Sequence, residues 1–451
     1  MARSSPTLLG IYPSTRLEHP NSAAAASSTT FQQQQRTESE YTPGQTKFEN
    51  NISKNDINEN SNKATISVST KSFDTTTEIS ENAIQSKISE LVATSTRCKV
   101  TNTKDEDFNA LLGQVLEAIG AGIQPQLCRE GSSGSYFVYN KLGDPIGIFK
   151  PKDEEPFANL NPKWPKYFQR VLCFCCFGRS CLIPNVGYLS ETAASLVDER
   201  LNLFVVPKTR VVKLASPSFN YGRSWFHETP KIKGKEGSLQ TFVIGYQSAE
   251  VVLNEWANMG TEHTMSQENE ERFTVLFQKM CVLDYVIRNT DRHMDNWLIR
   301  HVPDEPIQVA VIDNGLAFPV KHPECASRFR TFPFHWGELS WAHRPLNQKL
   351  RQELLTLLTP AFVHELCEEL KKFFRHDRQH NRYLTYSQIR VLRGQLWNLK
   401  EALEADEPPA EWVKREPILA SRRFRHAPPA NGTFDDCFRR LPADYSHRVC
   451  C

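Results

Sequence analysis

The chain has 451 residues, of which 54 are basic and 52 acidic, so its formal net charge is only +2. This even balance does not indicate strong nucleic-acid binding, and we expect no nucleic-acid partner. The sequence has no apolar run of transmembrane length and no apolar core of a secretory signal, which predicts a cytosolic protein that does not span a bilayer. The 12 cysteines are then expected to be reduced thiols or lipidation sites, because disulfides are rare in the cytosol.

The first part of the chain, residues 1–95, is rich in Ser, Thr, Asn and Gln and has few apolar residues. Such a segment cannot bury enough apolar surface to offset the loss of chain entropy, so the composition predicts a disordered arm. We expect trafficking adaptors, if they bind this protein, to do so through the arm. Order is predicted to begin near Asp107, where apolar residues at helical spacing continue to Gly120.

A run of small residues comes next, upstream of a lysine. The segment EGSSGSYFVYN at 130–140 leads into an apolar run, and after a turn at 143–145 a second such run ends at Lys150. This pattern predicts a β-hairpin with a small-residue tip. Small residues let backbone amides approach phosphate oxygens, and a lysine at a strand end can reach the same phosphates. We therefore expect ATP to contact Lys150 and the tip residues Gly131, Ser132, Ser133, Gly134 and Ser135.

A lysine that binds phosphate needs an acidic partner to hold it extended. The sequence predicts a helix over 188–200, and this helix carries two suitable carboxylates. Glu191 is the first choice, and Asp198 is the alternative. Short strands are predicted near 203–214 and 239–246.

Two polar motifs in the middle of the chain carry the most chemical information. A helix predicted over 270–288 leads into RNTDRHMDNWL at 288–298, in which Asp291 precedes Asn296 by five residues. A later apolar run ends at Asp313, within AVIDNGLAF at 310–318. A loop with Asp and Asn, then two short strands and an Asp-x-Gly, is typical of a phosphoryl-transfer site.

Each polar residue of these motifs has a predicted role. Asp291 is expected to orient the acceptor hydroxyl or to deprotonate it, while Arg292 is expected to pair with a carboxylate or a phosphate. Carboxylate and amide oxygens suit hard cations, so Asn296 and Asp313 are predicted to hold Mg²⁺, or Mn²⁺ in its place. Asp313 would also contact ATP. The expected catalytic set is Lys150, Asp291, Arg292, His293 and Asn296.

The stretch NPKWPKYFQRVLCFCCFGRSC at 161–181 combines basic and aromatic residues with cysteines and has no acidic residue. This composition suits an anionic bilayer surface, where aromatic rings lie at the headgroup level. The predicted membrane contacts are Lys163, Trp164, Lys166, Phe168, Arg170 and Phe174. The predicted S-palmitoylation sites are Cys173, Cys175 and Cys176. The alternatives are a buried apolar loop with inert thiols, or a metal site.

A second aromatic segment, FRTFPFHW at 329–336, follows the Asp313 motif. Its exposed rings would enter the bilayer beside the first patch, and the predicted contacts are Phe329, Phe332 and Trp336. The alternative is that these rings pack in the protein core.

The motifs resemble those of the type II phosphatidylinositol 4-kinases. The resemblance runs from about residue 95 to 405 and is carried by stretches such as EGSSGSYFV, FKPKDEEPFANLNPKW, GYLSETAASLVDERL, VLDYVIRNTDR and IDNGLAFPVKHP. It implies the α+β, bilobal fold of the PI3/PI4-kinase superfamily, with a small β-rich N-lobe over 96–239 and a larger, mostly helical C-lobe over 240–405. The Pro- and Arg-rich residues 406–451 predict a flexible tail.

The resemblance also implies an activity and further site residues. The expected activity is transfer of the γ-phosphate of ATP to the 4-hydroxyl of phosphatidylinositol. The expected location is the cytosolic face of the trans-Golgi network, endosomes and the plasma membrane, as a peripheral, lipid-anchored protein. The implied adenine-binding hinge is Gln240, Thr241, Phe242 and Val243. The implied substrate-binding segment is Glu155, Pro156 and Phe157.

The chain departs from the family pattern in two places. His293 and Met294 stand where the family has Gly-Asn, so the loop is similar to that of phosphoinositide 3-kinases and the proton acceptor is either Asp291 or His293. The family run CCPCC is here Leu-Cys-Phe-Cys-Cys at 172–176, which leaves the number of acyl chains open.

Two rival functions remain open on the sequence. A protein kinase would have the same order of motifs, but the chain has no HRD-like, DFG or APE run. A catalytically weak membrane scaffold is the second rival, and the complete set of Lys150, Asp291, Asn296 and Asp313 argues against it.

Overall fold

The computed structural model describes residues 105–129, 131, 133–156, 158, 160, 181–222, 232–259, 265–323, 333–377, 381–424, 426–429 and 432–443. The predicted disordered arm and the cysteine-rich stretch up to residue 180 lie outside these residues. Among the described helices, none is both long and apolar enough to cross a membrane.

The N-lobe is an antiparallel sheet with one helix packed against it. Five strands pair in the order β1-β2-β3-β5-β4. The elements are α1 (Glu106–Gly120), β1 (Gln126–Leu127), β2 (Tyr136–Tyr139), β3 (Pro145–Pro151), β4 (Thr209–Leu214) and β5 (Lys235–Thr241). Alternate residues of β2 are buried, and together with the apolar face of α1 they form a small separate core. The predicted helix and hairpin are confirmed, and the small-residue tip is the connection between β1 and β2.

Close approach of two strands fixes the position of Lys150. Lys150 pairs with Ser238 of β5, and Gly237 pairs with Pro151. A β-carbon at Gly237 would lie 2.3 Å from the backbone oxygen of Lys150, so only glycine fits there. The glycine therefore lets β5 approach β3 where the lysine leaves the sheet.

The helix α2 (Gly187–Arg200) connects the two lobes, and it confirms the helix predicted over 188–200. Ten of its 14 residues are buried. A helix that is buried on nearly every side packs against neighbours all round rather than showing one solvent face. Its residues Tyr188 and Val197 belong to the large apolar cluster of the C-lobe, not to the N-lobe core. The side chains of α2 are therefore positioned by the C-lobe cluster and also by β4, since the hydroxyl of Ser195 accepts the backbone amide of Thr209 at 3.1 Å.

The C-lobe is built around one long helix, which begins with Ser266 as N-cap and ends at Arg288 in the left-handed conformation. A three-stranded antiparallel sheet in the order β6-β7-β8 presents the polar motifs; β6 precedes this helix in the chain, and β7 and β8 follow it. The elements are β6 (Gln247–Ser248), α3 (Ala249–Met259), α4 (Gln267–Ile287), β7 (Trp297–Arg300), β8 (Gln308–Val311), α5 (Gln348–Leu357), α6 (Pro360–Phe374) and α7 (Arg382–Glu404). The predicted long helix, strand pair and C-terminal helices are confirmed.

The prediction of a flexible tail after residue 405 is wrong for the described residues up to 443. They form α8 (Pro409–Trp412), β9 (Ile418–Arg422), α9 (Phe434–Cys437) and β10 (Phe438–Pro442), and β9 pairs with β10. Phe434 and Phe438 contact Trp397 of α7, and the ring centroids lie 5.7 and 6.4 Å apart. Scattered aromatic residues give this tail enough apolar surface to pack on α7, although its composition is rich in Pro and Arg.

Contact between α7 and β9 depends on Gly394. A β-carbon at this position would lie 2.0 Å from the backbone oxygen of Ile418. We expect Gly394→Ala to lower the free energy of unfolding by about 1–3 kcal/mol, because the added methyl must push β9 off the helix. Gly113 in α1 is a matched control, since nothing lies within 4 Å of a β-carbon there. Gly113→Ala is expected to stabilise by up to ~1 kcal/mol through helix propensity. Chemical denaturation of both variants tests this, and equal effects would contradict it.

Candidate active site

An ion-pair cluster joins the two lobes at Lys150. Its Nζ donates to Oε1 of Glu191 at 2.5 Å and to Oδ1 of Asp313 at 3.0 Å. Burial opposes the charge of Lys150, but the carboxylates of Asp313 and Glu191 outweigh this effect and raise its pKa. The charge of Lys150 in turn lowers the pKa of Asp313. The predicted partner Glu191 is therefore confirmed, and the site holds a fixed positive charge between two lobes.

The alternative partner, Asp198, lies elsewhere. It is buried, and its Oδ1 accepts the backbone amide of Val205 at 3.0 Å. Burial raises the pKa of Asp198 to about 7. Asp198 therefore holds the loop that follows α2, and the lysine pairs with Glu191 instead.

Arg292 lies in the loop between α4 and β7, residues 288–296, here named the catalytic loop, and its buried guanidinium is fully engaged. Its Nε and Nη2 donate to the carboxylate of Asp284 at 2.9 and 3.0 Å. Its Nη1 donates to the backbone oxygens of Asn296 and Ile312 at 2.5 and 2.6 Å, and Nη2 also donates to Oδ1 of Asn314. A guanidinium has five N–H donors, and all five are used here. The expected pairing of Arg292 with a carboxylate is confirmed, and because no donor is left for a phosphate, Arg292 positions the loop.

The catalytic loop itself is short and braced from within. The side-chain Nδ2 of Asn296 donates to the backbone oxygen of Asp291 at 2.6 Å. Nε2 of His293 lies 3.0 Å from Oδ1 of Asp291. Both predicted proton acceptors thus lie in direct contact, with the side chain of His293 half exposed.

Asn296 and Asp313 are brought together by backbone contacts. The amide of Ile312, next to Asp313, donates to the oxygen of Asn296 at 3.1 Å. Asp313 has a left-handed φ of 52° and keeps 55% of its side chain exposed. An amide oxygen and an accessible carboxylate are ligands that Mg²⁺ accepts when phosphate oxygens and water complete its shell, so these residues fit the predicted metal. Among the described residues, no cluster of three or more His, Cys, Asp and Glu side chains could hold a metal without such help.

The small-residue tip supplies fewer free amides than predicted. The amide of Gly134 donates to the backbone oxygen of Glu154 at 2.9 Å, and so it does not face phosphate. The hydroxyls of Ser133 and Ser135 lie 3.1 Å apart, and Gly131 has a φ of 75°. Ser132 lies outside the described residues. The tip is therefore tied to the turn that follows β3.

The predicted hinge continues from β5. The amides of Thr241 and Phe242 donate to the backbone oxygens of Lys208 and Ile146, both at 3.0 Å. The side chain of Gln240 is buried and donates to Thr209 at 3.0 Å. Val243 is the first residue past these contacts.

Glu155 has a structural contact that the sequence did not predict. Its carboxylate accepts the amides of Gly187 and Tyr188 at 3.1 and 2.8 Å, at the N-terminus of α2. Burial raises the pKa of Glu155 to about 7, although both amides favour the charged form. Glu155 therefore caps α2, the helix that carries Glu191. Pro156 is half-buried, and Phe157 lies outside the described residues.

The predicted membrane contacts are mostly beyond the described residues. Lys163, Trp164, Lys166, Phe168, Arg170, Phe174, Phe329 and Phe332 lie there, as do Cys173, Cys175 and Cys176. Trp336 is described, and for it the prediction is wrong. Its side chain is 1% exposed, and its indole N–H donates to Oδ2 of Asp284 at 3.2 Å. The ring also stacks on Phe334, so the alternative of core packing holds for this residue.

Sequence reasoning missed two polar residues that shape the site. Asp284 lies on the apolar face of α4, and an acidic residue among core positions signals a buried partner. Asn314 is fully buried, and its backbone amide donates to Oε2 of Glu191 at 2.9 Å.

The site has the parts of a phosphoryl-transfer enzyme, and sequence comparison agrees. A family model described as phosphatidylinositol 3- and 4-kinase matches residues 131–382, more than half of the chain. Phosphatidylinositol 4-kinase type 2-beta of Danio rerio is 40% identical over 356 residues, covering 71% of this chain and 70% of the relative. Type 2-alpha of the same organism is 39% identical over 352 residues, covering 70% and 77%. The chain therefore belongs to the phosphatidylinositol 3- and 4-kinase family, and within it to the type 2 phosphatidylinositol 4-kinases.

Solved structures give weaker similarity. Hydra Fam20 with sugar aligns with 62% of this chain and 84% of that chain, at 13% identity and a TM-score of 0.37. The Golgi casein kinase with Mn/ADP bound aligns with 62% of this chain and 73% of that chain, at 18% identity and a TM-score of 0.34. Scores at this level add nothing to the assignment.

The burial of Arg292 predicts a loss of stability together with activity. Arg292→Ala leaves the carboxylate of Asp284 buried without its partner, so we expect the free energy of unfolding to fall by ~3–5 kcal/mol. Arg300, at the other end of β7, pairs with Glu305 at an exposed position and is the control. Arg300→Ala should cost no more than ~1 kcal/mol. Chemical denaturation measures both, and a stable but inactive Arg292→Ala protein would restore a catalytic role.

Proposed function

We propose that the protein transfers the γ-phosphoryl group of ATP to the 4-hydroxyl of phosphatidylinositol. The observation that carries this proposal is the contact of Lys150 with Glu191 and Asp313, beside the loop of Asp291 and Asn296. Family membership supports the lipid substrate, because the relatives are phosphatidylinositol 4-kinases by name.

The residues divide the chemistry between two sides of the cleft. Lys150 would place its ammonium on the phosphates of ATP, since the carboxylates around it keep it charged. Asn296 and Asp313 would hold Mg²⁺ or Mn²⁺, which neutralises phosphate charge when bound. Asp291 would orient the inositol hydroxyl and receive its proton. Most of the rate enhancement would then come from positioning and electrostatics.

Adenine would bind at the hinge. The amides of Thr241 and Phe242 are engaged within the protein, so Val243 is the residue we assign to the adenine edge. Glu155 would affect substrate binding only indirectly. Its carboxylate caps the N-terminus of α2, the helix that carries Glu191.

We further propose that the protein works as a peripheral enzyme on the cytosolic face of the trans-Golgi network, endosomes or the plasma membrane. The support is the composition of residues 161–181, which are basic and aromatic and carry Cys173, Cys175 and Cys176. Each basic residue near an anionic surface adds roughly 1 kcal/mol of attraction. Adaptors would bind through the N-terminal arm.

One assay separates the proposal from its rivals. Labelled ATP is supplied with vesicles that contain phosphatidylinositol, with vesicles that lack it, and with a generic protein substrate. A labelled phosphatidylinositol 4-phosphate product is expected only in the first reaction. Label in the protein would favour a protein kinase, and no label anywhere would favour the scaffold.

Substitutions at phosphate and metal should remove turnover without unfolding the protein. We expect Lys150→Ala and Asp313→Ala each to raise the barrier by ~3–4 kcal/mol, the scale of one lost charge-stabilising donor. Lys141→Ala is the control, because Lys141 pairs with Glu117 at the surface. The measurement is the rate on phosphatidylinositol vesicles with varied Mg²⁺. More than a tenth of the wild-type rate in Asp313→Ala, with an unchanged Mg²⁺ requirement, would disprove the metal assignment.

Replacing Cys173, Cys175 and Cys176 together by Ser should shift the protein from membranes to a partly soluble pool. One acyl chain anchors only marginally, so stable binding needs several chains or one chain with basic residues. The triple variant should wash off in high salt, because the remaining contacts are screened. Cys128→Ser, outside this stretch, is the control. If hydroxylamine releases no acyl groups from the wild type and the variant resists salt, palmitoylation is ruled out.

A further inference from the structure

Two histidines from distant parts of the chain meet beside Asp291. His293 belongs to the catalytic loop, and His335 lies 42 positions later, at the start of the helical turn His335–Glu338. Their ring centroids are 4.6 Å apart and the rings are inclined by 34°. Nε2 of His293 lies 3.0 Å from Oδ1 of Asp291. The ring of His293 therefore contacts the carboxylate of Asp291 through Nε2 and the ring of His335 through its face.

One buried carboxylate places both histidines. The carboxylate of Asp284 accepts hydrogen bonds from the guanidinium of Arg292 and from the indole of Trp336. Arg292 directly precedes His293, and Trp336 directly follows His335. Phe334 and Trp336 are buried on either side of His335, which is exposed between them. The alternation directs His335 outward, onto the ring of His293. The ring contact is thus a consequence of anchored neighbours, not of two loose surface side chains.

We propose that His335 is a positioning residue for phosphoryl transfer: it holds the imidazole of His293, and His293 holds the carboxylate of Asp291 toward the acceptor hydroxyl. The proposal rests on the proposed function, because it takes Asp291 as the group that receives the hydroxyl proton. The flat ring of His335 packs on the face of the imidazole of His293 and limits the rotation of that imidazole. A hydrogen bond donated by Nε2 of His293 then fixes the direction of the Asp291 carboxylate.

The reaction step balances without a further reactant. The O–H bond of the acceptor breaks, its proton goes to the carboxylate of Asp291, and its oxygen bonds to the γ-phosphorus. The bond from the γ-phosphorus to the bridging oxygen breaks, and its electron pair leaves with ADP. His293 and His335 stay unchanged in this step and act only on the direction of the carboxylate.

The first test is a set of single and double substitutions assayed on phosphatidylinositol vesicles. His335→Ala should lower kcat about three- to tenfold, the range expected for one lost ring contact, with the KM for ATP unchanged. His335→Phe keeps a flat ring and should recover most of kcat. In a His293→Ala background, His335→Ala should have no further effect. His343→Ala is the control, because His343 is an exposed histidine of the next helical turn.

Equal losses for His335→Ala with and without His293 would overturn the proposal, since they would show that His335 acts by another route. No loss at all would overturn it as well.

The second test does not need lipid turnover. In protein carrying ring-labelled histidine, the His293 signal is assigned by its loss in His293→Ala. It should shift in His335→Ala, because a stacked ring is removed, and stay in place in His343→Ala. An unchanged His293 signal in His335→Ala would overturn the positioning role even in an active enzyme. A wild type that shows the ring contact but leaves phosphatidylinositol unlabelled would instead refute the proposed function.

Discussion

The buried ion pair between Arg292 and Asp284 is the contact on which the rest of the site depends. Both side chains are almost fully buried, 1% and 0% exposed. Burying two charges is costly, and it is tolerated only when hydrogen bonds satisfy what the pair leaves over. Here the guanidinium also donates hydrogen bonds to two backbone oxygens and to the side-chain amide oxygen of Asn314. One side chain therefore fixes the catalytic loop, the end of β8 and Asn314 relative to α4.

A chain of hydrogen bonds continues from this pair to the N-lobe. Arg292 donates to Asn314, and the backbone amide of Asn314 donates to Glu191. Glu191 accepts Lys150, and Lys150 also donates to Asp313, the residue before Asn314. These hydrogen bonds therefore form a closed ring beside the cleft, from Glu191 through Lys150 and Asp313 to Asn314 and back to Glu191. Because α2 packs in the large apolar cluster of the C-lobe and is also hydrogen-bonded to β4, it holds Glu191 where the two lobes meet.

The sequence predicted those parts of the molecule in which local pattern and chemistry agree. Helical spacing and alternation located α2, α4 and the strand pair, and residue chemistry named Lys150, Glu191, Asp291, Asn296 and Asp313. The membrane-contact role predicted for Trp336 was wrong, because an aromatic residue near a motif is equally consistent with core and surface. For Arg292 the sequence predicted a carboxylate or phosphate partner but did not name Asp284, because that partner is set by tertiary packing. No local sequence pattern could show that Arg292 and Trp336 both donate to the carboxylate of Asp284.

The backbone at Asp313 shows why this packing matters for chemistry. Its φ of 52° is left-handed, a conformation that costs non-glycine residues of order 1–3 kcal/mol unless the surroundings enforce it. Aspartate tolerates this region better than most residues. The neighbours on both sides are held, Ile312 by Arg292 and Asn314 by Glu191. The strained residue therefore keeps its carboxylate at Lys150 and toward the cleft before any nucleotide binds, which is preorganisation in the electrostatic sense.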